Sequence, residues 1–143
     1  MQSRRTVLGL VVAAAAVGWA GARVTGGGWH GACPAPGTRM LRLELVFGMG
    51  RKDGTEIEEA DWRAFLDAEV TPRFPDGLTV FSASGQWRNS GGRIVKEAAR
   101  VLLVWLPDAA AAQPRIEAVR EAWKQRHQQE SVLRVTETSC VAF

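Results

Sequence analysis

The sequence predicts an α+β domain in which two helices cover one face of a four-stranded antiparallel sheet. Three observations indicate this fold class. Apolar and polar residues alternate in the segments 40–47 and 131–143, a period typical of half-buried strands. Apolar residues recur at helical spacing in two other segments. Asn89-Ser-Gly-Gly92 has the composition of a tight turn between two strands.

The first predicted strand runs from Met40 to Phe47. Its alternation places four apolar side chains on one side: Leu41, Leu43, Leu45 and Phe47. Gly48-Met-Gly50 is then interpreted as a turn, because the rest of a nucleotide-binding glycine pattern is absent. The strand therefore has one buried face and leads into a polar loop.

The first predicted helix has four inward residues at helical spacing: Trp62, Phe65, Leu66 and Val70. Thr55, followed three residues later by Glu58, offers a capping box at its start. We expect the helix to end near Thr71, because the residue before Pro72 avoids helical backbone angles.

Strands two and three are predicted over 77–88 and 93–106 as a hairpin. Glycine and asparagine in the turn between them supply the positive φ angles that a hairpin needs. The segment from Val101 to Leu106 is apolar at every position, which favours a central strand with both faces covered.

The main part of the second helix is predicted to start at Pro114, since proline suits the first helical position, with an added turn over Ala109 to Ala112 left open. Its inward residues are Ile116, Val119 and Trp123. The last strand, over 131–143, carries Leu133 and Val135 on one side and Arg134 and Thr136 on the other. We expect the polar side of this strand to lie on the sheet face that the helices leave open.

The order strand, helix, strand, strand, helix, strand is the split βαβ pattern of the ferredoxin-like fold. In that fold the last strand runs antiparallel beside the first. Cys140, near the end of the last strand, is therefore expected to reach Cys33, just before the first. We predict a disulfide between them; the alternative is two unpaired thiols.

The amino terminus has the pattern of a bacterial export signal. Arg4 and Arg5 precede a short apolar run from Gly9 to Ala20, and Ala20-Gly-Ala22 suits cleavage. The run is shorter than the about 20 residues that a membrane anchor needs. Both the twin-arginine route and the general secretion route stay open, and a lipid anchor at Cys33 is a weaker alternative. A periplasmic or secreted protein is expected.

These boundaries predict a cleavable signal over 1–22, a Gly- and Pro-rich approach segment over 23–38 and one domain over 39–143. The chain carries 18 Lys and Arg against 15 Asp and Glu, and loss of Arg4 and Arg5 leaves 16 against 15. This near-neutral balance, without a basic cluster, disfavours nucleic acid as a partner.

Residues for catalysis or metal binding are sparse. The chain has no tyrosine and two histidines, and no Cys-x-x-Cys or His-x-x-x-His spacing. We therefore expect no catalytic residue, no metal and no cofactor. His127 is interpreted as structural, because a cationic histidine near a helix carboxyl end interacts favourably with the helix dipole.

The open sheet face is the candidate binding surface. By alternation it is expected to display Arg42 and Glu44 from the first strand and Arg134 and Thr136 from the last. The third strand is expected to add Arg100, Leu102 and Val104. Arg42, Glu44 and Arg134 are candidates to hold an acidic ligand, the alternative being a cross-strand ion-pair ladder. Trp87 is a second candidate contact, the alternative being a packing role. Because this face mixes apolar and polar groups, we expect it to join a second copy in a homodimer.

Four segments together resemble a bacterial family of short exported proteins, domain of unknown function 3574. They are Glu44-Leu-Val-Phe-Gly48, Thr71-Pro-Arg-Phe-Pro-Asp-Gly-Leu-Thr-Val80, Gly85-Gln-Trp-Arg88 and Glu130-Ser-Val-Leu-Arg-Val135. The resemblance covers 40–143 and implies no activity, because the family is uncharacterised. Val46 stands where the family pattern leads us to expect a tyrosine, and Glu58 where we expect a capping serine.

Two functional classes follow. The first is a non-enzymatic periplasmic module that binds a small molecule or another envelope protein. The second is a cofactor-free enzyme resembling the dimeric α+β barrel type, which rests on fold analogy alone. An enzyme needs a closed pocket where Arg42, Glu44, Trp87 and Arg134 converge, whereas a binding module can use an open groove or flat patch.

Overall fold

A computed structural model of the protein describes residues 32–107 and 109–143. The expected export signal lies outside these residues. The described chain has four strands, β1 (Thr38–Gly48), β2 (Thr79–Arg88), β3 (Ile94–Leu106) and β4 (Leu133–Val141). Helix α1 (Glu59–Phe65) continues into a π-helical segment (Leu66–Val70), and α2 spans Ala109–His127. Within these residues, no helix combines the length and the apolar character that crossing a membrane requires.

The strands form one sheet in the order β2-β3-β1-β4, with every neighbouring pair antiparallel. The element order and this strand order confirm the predicted ferredoxin-like fold. β1 and β3 occupy the centre of the sheet, as the apolar segment 101–106 indicates. β2 and β4 are the edges.

The core lies between the helices and one face of the sheet. The predicted inward residues of β1 are all buried, with Leu43, Leu45 and Phe47 at 0% exposure. Phe47 lies at the centre of an aromatic cluster with Trp62 and Phe65 of α1 and Trp123 of α2. The ring centroids of Phe47 and Trp123 are 5.2 Å apart, and those of Phe65 and Trp123 are 4.8 Å apart. This cluster fixes both helices on the same sheet face.

The first helix ends at Val70, with Thr71 as its carboxyl cap, which confirms the predicted end, but its start differs from the prediction. The predicted capping box is wrong, because the Thr55 hydroxyl donates a hydrogen bond to Asp53 within the preceding loop. Glu58 occupies the cap position without a side-chain hydrogen bond. Toward its end the helix widens, and the Thr71 amide bonds to the Leu66 carbonyl five residues back.

The second helix begins at Ala109, so the added turn is present and Pro114 lies inside the helix rather than at its first position. The alanines before Pro114 have the highest helix propensity of any residue, which extends the helix toward its amino end. The predicted inward residues Ile116, Val119 and Trp123 are all fully buried.

The predicted facing of β4 is wrong. Arg134 pairs across the ladder with Leu45 and Thr136 with Leu43, so these polar residues share the helix-covered face. The Arg134 guanidinium bonds to Gln113 and Glu117 of α2, at 2.7 and 2.9 Å. Because β4 is an edge strand, its helix-covered side lies at the margin of the core. There polar residues of α2 supply hydrogen-bond acceptors for Arg134.

The predicted facing of β3 is also wrong. Arg100, Leu102 and Val104 lie on the helix-covered face rather than the open one. Leu102 and Val104 are buried in the core, and Arg100 forms an ion pair with Glu59 of α1 at 2.7 Å. Alternation alone did not distinguish the two sides of a strand that is apolar on both.

The predicted disulfide is confirmed. Cys33 and Cys140 are bonded, with their α-carbons 5.5 Å apart. Cys140 lies opposite Arg39 in the β1–β4 ladder, which brings the end of β4 to the start of β1. The bond thus ties Cys33, in the approach segment, to the edge strand β4.

Replacing Cys140 by serine should lower the free energy of unfolding by about 2–5 kcal/mol, because the bond closes a long loop in the unfolded chain. The two cysteines are 107 residues apart in sequence. Urea unfolding of the oxidised wild type and of Cys140→Ser measures the loss. Cys33→Ser should lose the same amount, and the double variant no more. A loss below about 1 kcal/mol would contradict this expectation.

Candidate functional site

One candidate site is a polar cleft at the end of the sheet where β1 stops. Three segments border it: the loop after β1, the β2–β3 hairpin end and the loop from α2 to β4. The cleft measures about 250 Å³. Its lining comprises Gly50, Arg51, Lys52, Gly54, Trp87, Asn89, Arg93, Val95, Glu97, Gln128, Gln129 and Glu130.

Glu97 is the best-positioned polar group of the cleft. One carboxylate oxygen accepts a hydrogen bond from the Trp87 indole at 2.6 Å, and the other accepts one from the Gly50 amide at 2.8 Å. Glu97 forms no ion pair with any described residue. Two neutral donors therefore hold a carboxylate in a fixed orientation without neutralising its charge.

The glycines at the end of β1 make room for this carboxylate. A Cβ atom added to Gly48 would lie 2.7 Å from one Glu97 oxygen, and a Cβ at Gly50 would lie 2.8 Å from the other. Both distances are shorter than real contacts permit. The interpretation of Gly48-Met-Gly50 as a turn is wrong, because Gly48 ends β1 and Gly50 forms an antiparallel bridge with Glu56. The glycines instead allow a close approach of the Glu97 side chain.

Two side-chain bonds hold the other walls of the cleft together. The Gln129 side-chain amide donates to the Gly50 carbonyl, joining the α2–β4 loop to the loop after β1. The Ser90 hydroxyl and Glu130 are 3.2 Å apart, which joins the hairpin turn to the same α2–β4 loop. The cleft is thus built by contacts between segments distant in sequence.

His127 lies behind the cleft and is buried. Its ring centroid is 4.1 Å from that of Trp123, and its Nε2 atom has no hydrogen-bond partner among the described residues. Burial lowers the pKa of His127; the nearby Asp61 carboxylate opposes this, while Arg126 and Arg51 add to the lowering. The expectation of a cationic, dipole-stabilising histidine is wrong, because burial favours the neutral imidazole.

The open sheet face is the second candidate surface. An apolar row crosses all four strands, as the ladder pairs Leu133 with Val46, Val46 with Val101, and Val101 with Phe81. Phe81 and Leu133 are 51% and 60% exposed, and neighbouring Val135 is 41% exposed. The helices therefore leave a continuous apolar strip uncovered.

The candidate site residues are divided between the two faces of the sheet, and Trp87 lies far along the open face from Arg42 and Glu44. Arg42 and Glu44 lie on the open face and form an ion pair, and Arg42 is 3.8 Å from Glu137 on β4. This is the ion-pair arrangement that was the alternative to an acidic-ligand site. Trp87 lies in the cleft, and Arg134 is on the helix-covered face. The four residues do not converge.

Glu97 was missed in the sequence, although one signal for it existed. A pair of glycines at the end of a buried strand indicates that another group approaches the backbone closely. Nothing in the sequence says which acidic residue that group is. Within the described residues, no cluster of three or more histidine, cysteine, aspartate or glutamate side chains is arranged to hold a metal ion.

A family model matches residues 42–143, and the chain belongs to this family, described as a protein of unknown function (DUF3574). The family resemblance seen in the sequence is thereby confirmed. No curated protein matches the chain in sequence.

Solved structures align with the chain at low sequence identity. A phage SAM lyase in complex with S-methyl-5'-thioadenosine aligns with a TM-score of 0.59 and 10% identity, over 73% of this chain and 90% of that one. CutA from Synechococcus elongatus, complexed with Bis-Tris, aligns with a TM-score of 0.47 and 13% identity, over 74% of this chain and 87% of that one. The divalent cation tolerance protein CutA1 from Thermus thermophilus has a TM-score of 0.41 and 18% identity, over 74% and 84%.

Replacing Gly48 by alanine should destabilise the protein by about 1–2 kcal/mol, because the new methyl group displaces the Glu97 carboxylate from two hydrogen bonds. In a Glu97→Ala background the same change should stabilise by about 0.5–1 kcal/mol, since alanine suits a strand better than glycine. Urea unfolding of the four proteins measures this coupling. An equal effect of Gly48→Ala in both backgrounds would show that Glu97 does not require the glycine.

Lowering the pH below about 6.5, the ordinary pKa of histidine, should destabilise the wild type relative to His127→Phe. The unfolded chain takes up a proton there, whereas the folded chain, with its lowered pKa, resists it, so protons favour unfolding. Phenylalanine keeps the ring against Trp123 but cannot titrate. Unfolding free energies of both proteins from pH 8 to pH 5 give the difference, which should be constant above about pH 7.5. A constant difference throughout would contradict the assignment.

Proposed function

We propose that the protein is an exported, non-enzymatic interaction module whose open sheet face binds a second copy of the same chain. The observation that carries this proposal is the apolar row from Leu133 through Val46 and Val101 to Phe81. Its two end residues are more than half exposed. A protein that stays monomeric rarely exposes an apolar strip of this extent.

The size of the open face supports a stable dimer. Four strands about 4.8 Å apart and about eight residues long, at about 3.3 Å per residue, span roughly 500 Å² before side-chain relief is counted. A standard interface buries about 800 Å² per partner. Two copies facing each other over this area would bury about 1,000 Å² in total before side-chain relief is counted, which reaches the lower limit for a specific interface.

The charges on this face also suit a second copy. A two-fold interface brings the same surface together twice, so the surface must be complementary to itself. Arg42 lies on the open face beside Glu44 and Glu137. Because both signs are present beside the apolar row, two copies can meet without placing only like charges together.

Export is supported by two features of the chain. A disulfide joins Cys33 to Cys140, and disulfides persist mainly in oxidising compartments outside the cytoplasm. The amino-terminal sequence also has the charge, apolar run and small residues of a cleavable signal. We propose a periplasmic or secreted location on these grounds.

The alternative, a cofactor-free enzyme of the dimeric α+β barrel type, has less support. It requires Arg42, Glu44, Trp87 and Arg134 to converge on one pocket, and the described geometry separates them. The likeness to the phage SAM lyase, at 10% identity, concerns the fold alone. We therefore carry the interaction module forward.

Leu133→Arg should convert the dimer to a monomer, because it places a charge at the exposed end of the apolar row on both copies. Light scattering coupled to size exclusion, at high micromolar protein, measures the mass. The dimer dissociation constant should rise at least about tenfold. The monomer should stay folded, since Leu133 is exposed in the single chain.

Thr136→Arg is the matched control, since Thr136 is exposed on the same strand but on its other face. It should leave the mass at twice that of the chain. A monomer mass for the wild type at high micromolar concentration would overturn the proposal and leave an unrelated envelope protein as the partner to seek. Equal dissociation by both variants would show that the interface lies elsewhere.

A further inference from the structure

We propose that the cleft at the end of the sheet binds a small zwitterion, a molecule with an ammonium group, a carboxylate and an apolar body, such as an apolar amino acid. Trp87, Val95 and Glu97 lie on the same sheet face as the apolar row, several residues further along β2 and β3. Ligand binding and dimer mass are nevertheless measured independently. The proposal rests on three features of the cleft: its apolar wall, its fixed carboxylate and its uncompensated cations.

The apolar wall consists of Trp87 and Val95, which lie opposite each other on β2 and β3. The indole N–H of Trp87 is used by Glu97, which fixes the ring in place. At about 250 Å³ the cleft is smaller than the roughly 300–1,000 Å³ of sites for drug-sized ligands. It therefore suits a molecule about the size of one amino acid.

The ammonium group would bind at Glu97. Each Glu97 oxygen accepts one hydrogen bond from the protein, from Trp87 and from Gly50. A carboxylate has about four acceptor positions, so about two are open to a ligand. Its orientation is set before the ligand arrives, which lowers the entropic cost of binding.

The carboxylate of the ligand would bind at Lys52 and Arg93. Both side chains line the cleft, and neither forms an ion pair with a described residue. Arg51, by contrast, is engaged by Asp61 at 2.7 Å and by the Glu56 carbonyl. The cleft thus presents two carboxylates, Glu97 and Glu130, and two cations, Lys52 and Arg93, that form no ion pair with a described residue. A ligand carrying both charges complements this arrangement.

Isothermal titration with three probes tests the proposal: L-phenylalanine, 2-phenylethylamine and 3-phenylpropanoate. The three share an apolar body, but the second lacks the carboxylate and the third lacks the amine. We expect L-phenylalanine to bind at least about tenfold more tightly than either of the others. Each of the other probes lacks one of its two charged groups and so loses one strong, charge-assisted hydrogen bond. Failure of L-phenylalanine to bind at about 10 mM, or binding no tighter than the single-charge probes, would overturn the proposal.

Two variants test which side chain binds the ammonium group of the ligand and which binds its carboxylate. Glu97→Gln should weaken L-phenylalanine at least about tenfold and abolish its advantage over 3-phenylpropanoate. Arg93→Gln should abolish its advantage over 2-phenylethylamine, and because Arg93 is exposed this variant should fold even if Glu97→Gln does not. Lys96→Gln is the control, since Lys96 lies on the same strand but does not line this cleft. Equal weakening by Lys96→Gln would overturn the site. Dimer mass, measured in parallel, separates this result from the outcome for the interaction face.

Discussion

Two helices can cover only one face of a four-stranded sheet, and this limit decides what the rest of the surface must do. The aromatic cluster around Phe47 and Trp123 holds both helices on the same side. The other side then carries apolar residues with no cover inside the chain, including Phe81 and Leu133. Burying them requires another molecule. The fold and the proposed assembly are therefore two results of one packing constraint.

The cleft at the end of the sheet has a different origin, because it forms where the strands stop rather than where the helices pack. β1 ends in glycines, and their missing side chains leave room for a glutamate from the neighbouring strand. That glutamate is held by two neutral donors, the Trp87 indole and the Gly50 amide. Placing a fixed charge on the rigid sheet, and cations on loops beside it, is a common way to build a small binding site.

The elements of this fold could be predicted from their periodicity, whereas the side that each strand presents could not be predicted in every case. On β1 the apolar side is unambiguous. On β4 the apolar residues Leu133 and Val135 lie on the open face, whereas the polar residue Arg134 lies on the other face and bonds to α2. Choosing between them needs the partner of the arginine, which lies on another element. The same reason hid Glu97: its donors come from β2 and from the loop after β1, which only the folded sheet brings together.

The bond between Cys33 and Cys140 also decides how the domain responds to tension. A pull applied before Cys33 and after Cys140 would cross directly from one sulfur to the other. The 107-residue interval between them would carry none of that load. Sheet and core would thus be mechanically shielded, and stretching the chain would extend only the tails outside the loop. Such a covalent bypass would keep the folded interior intact under strain.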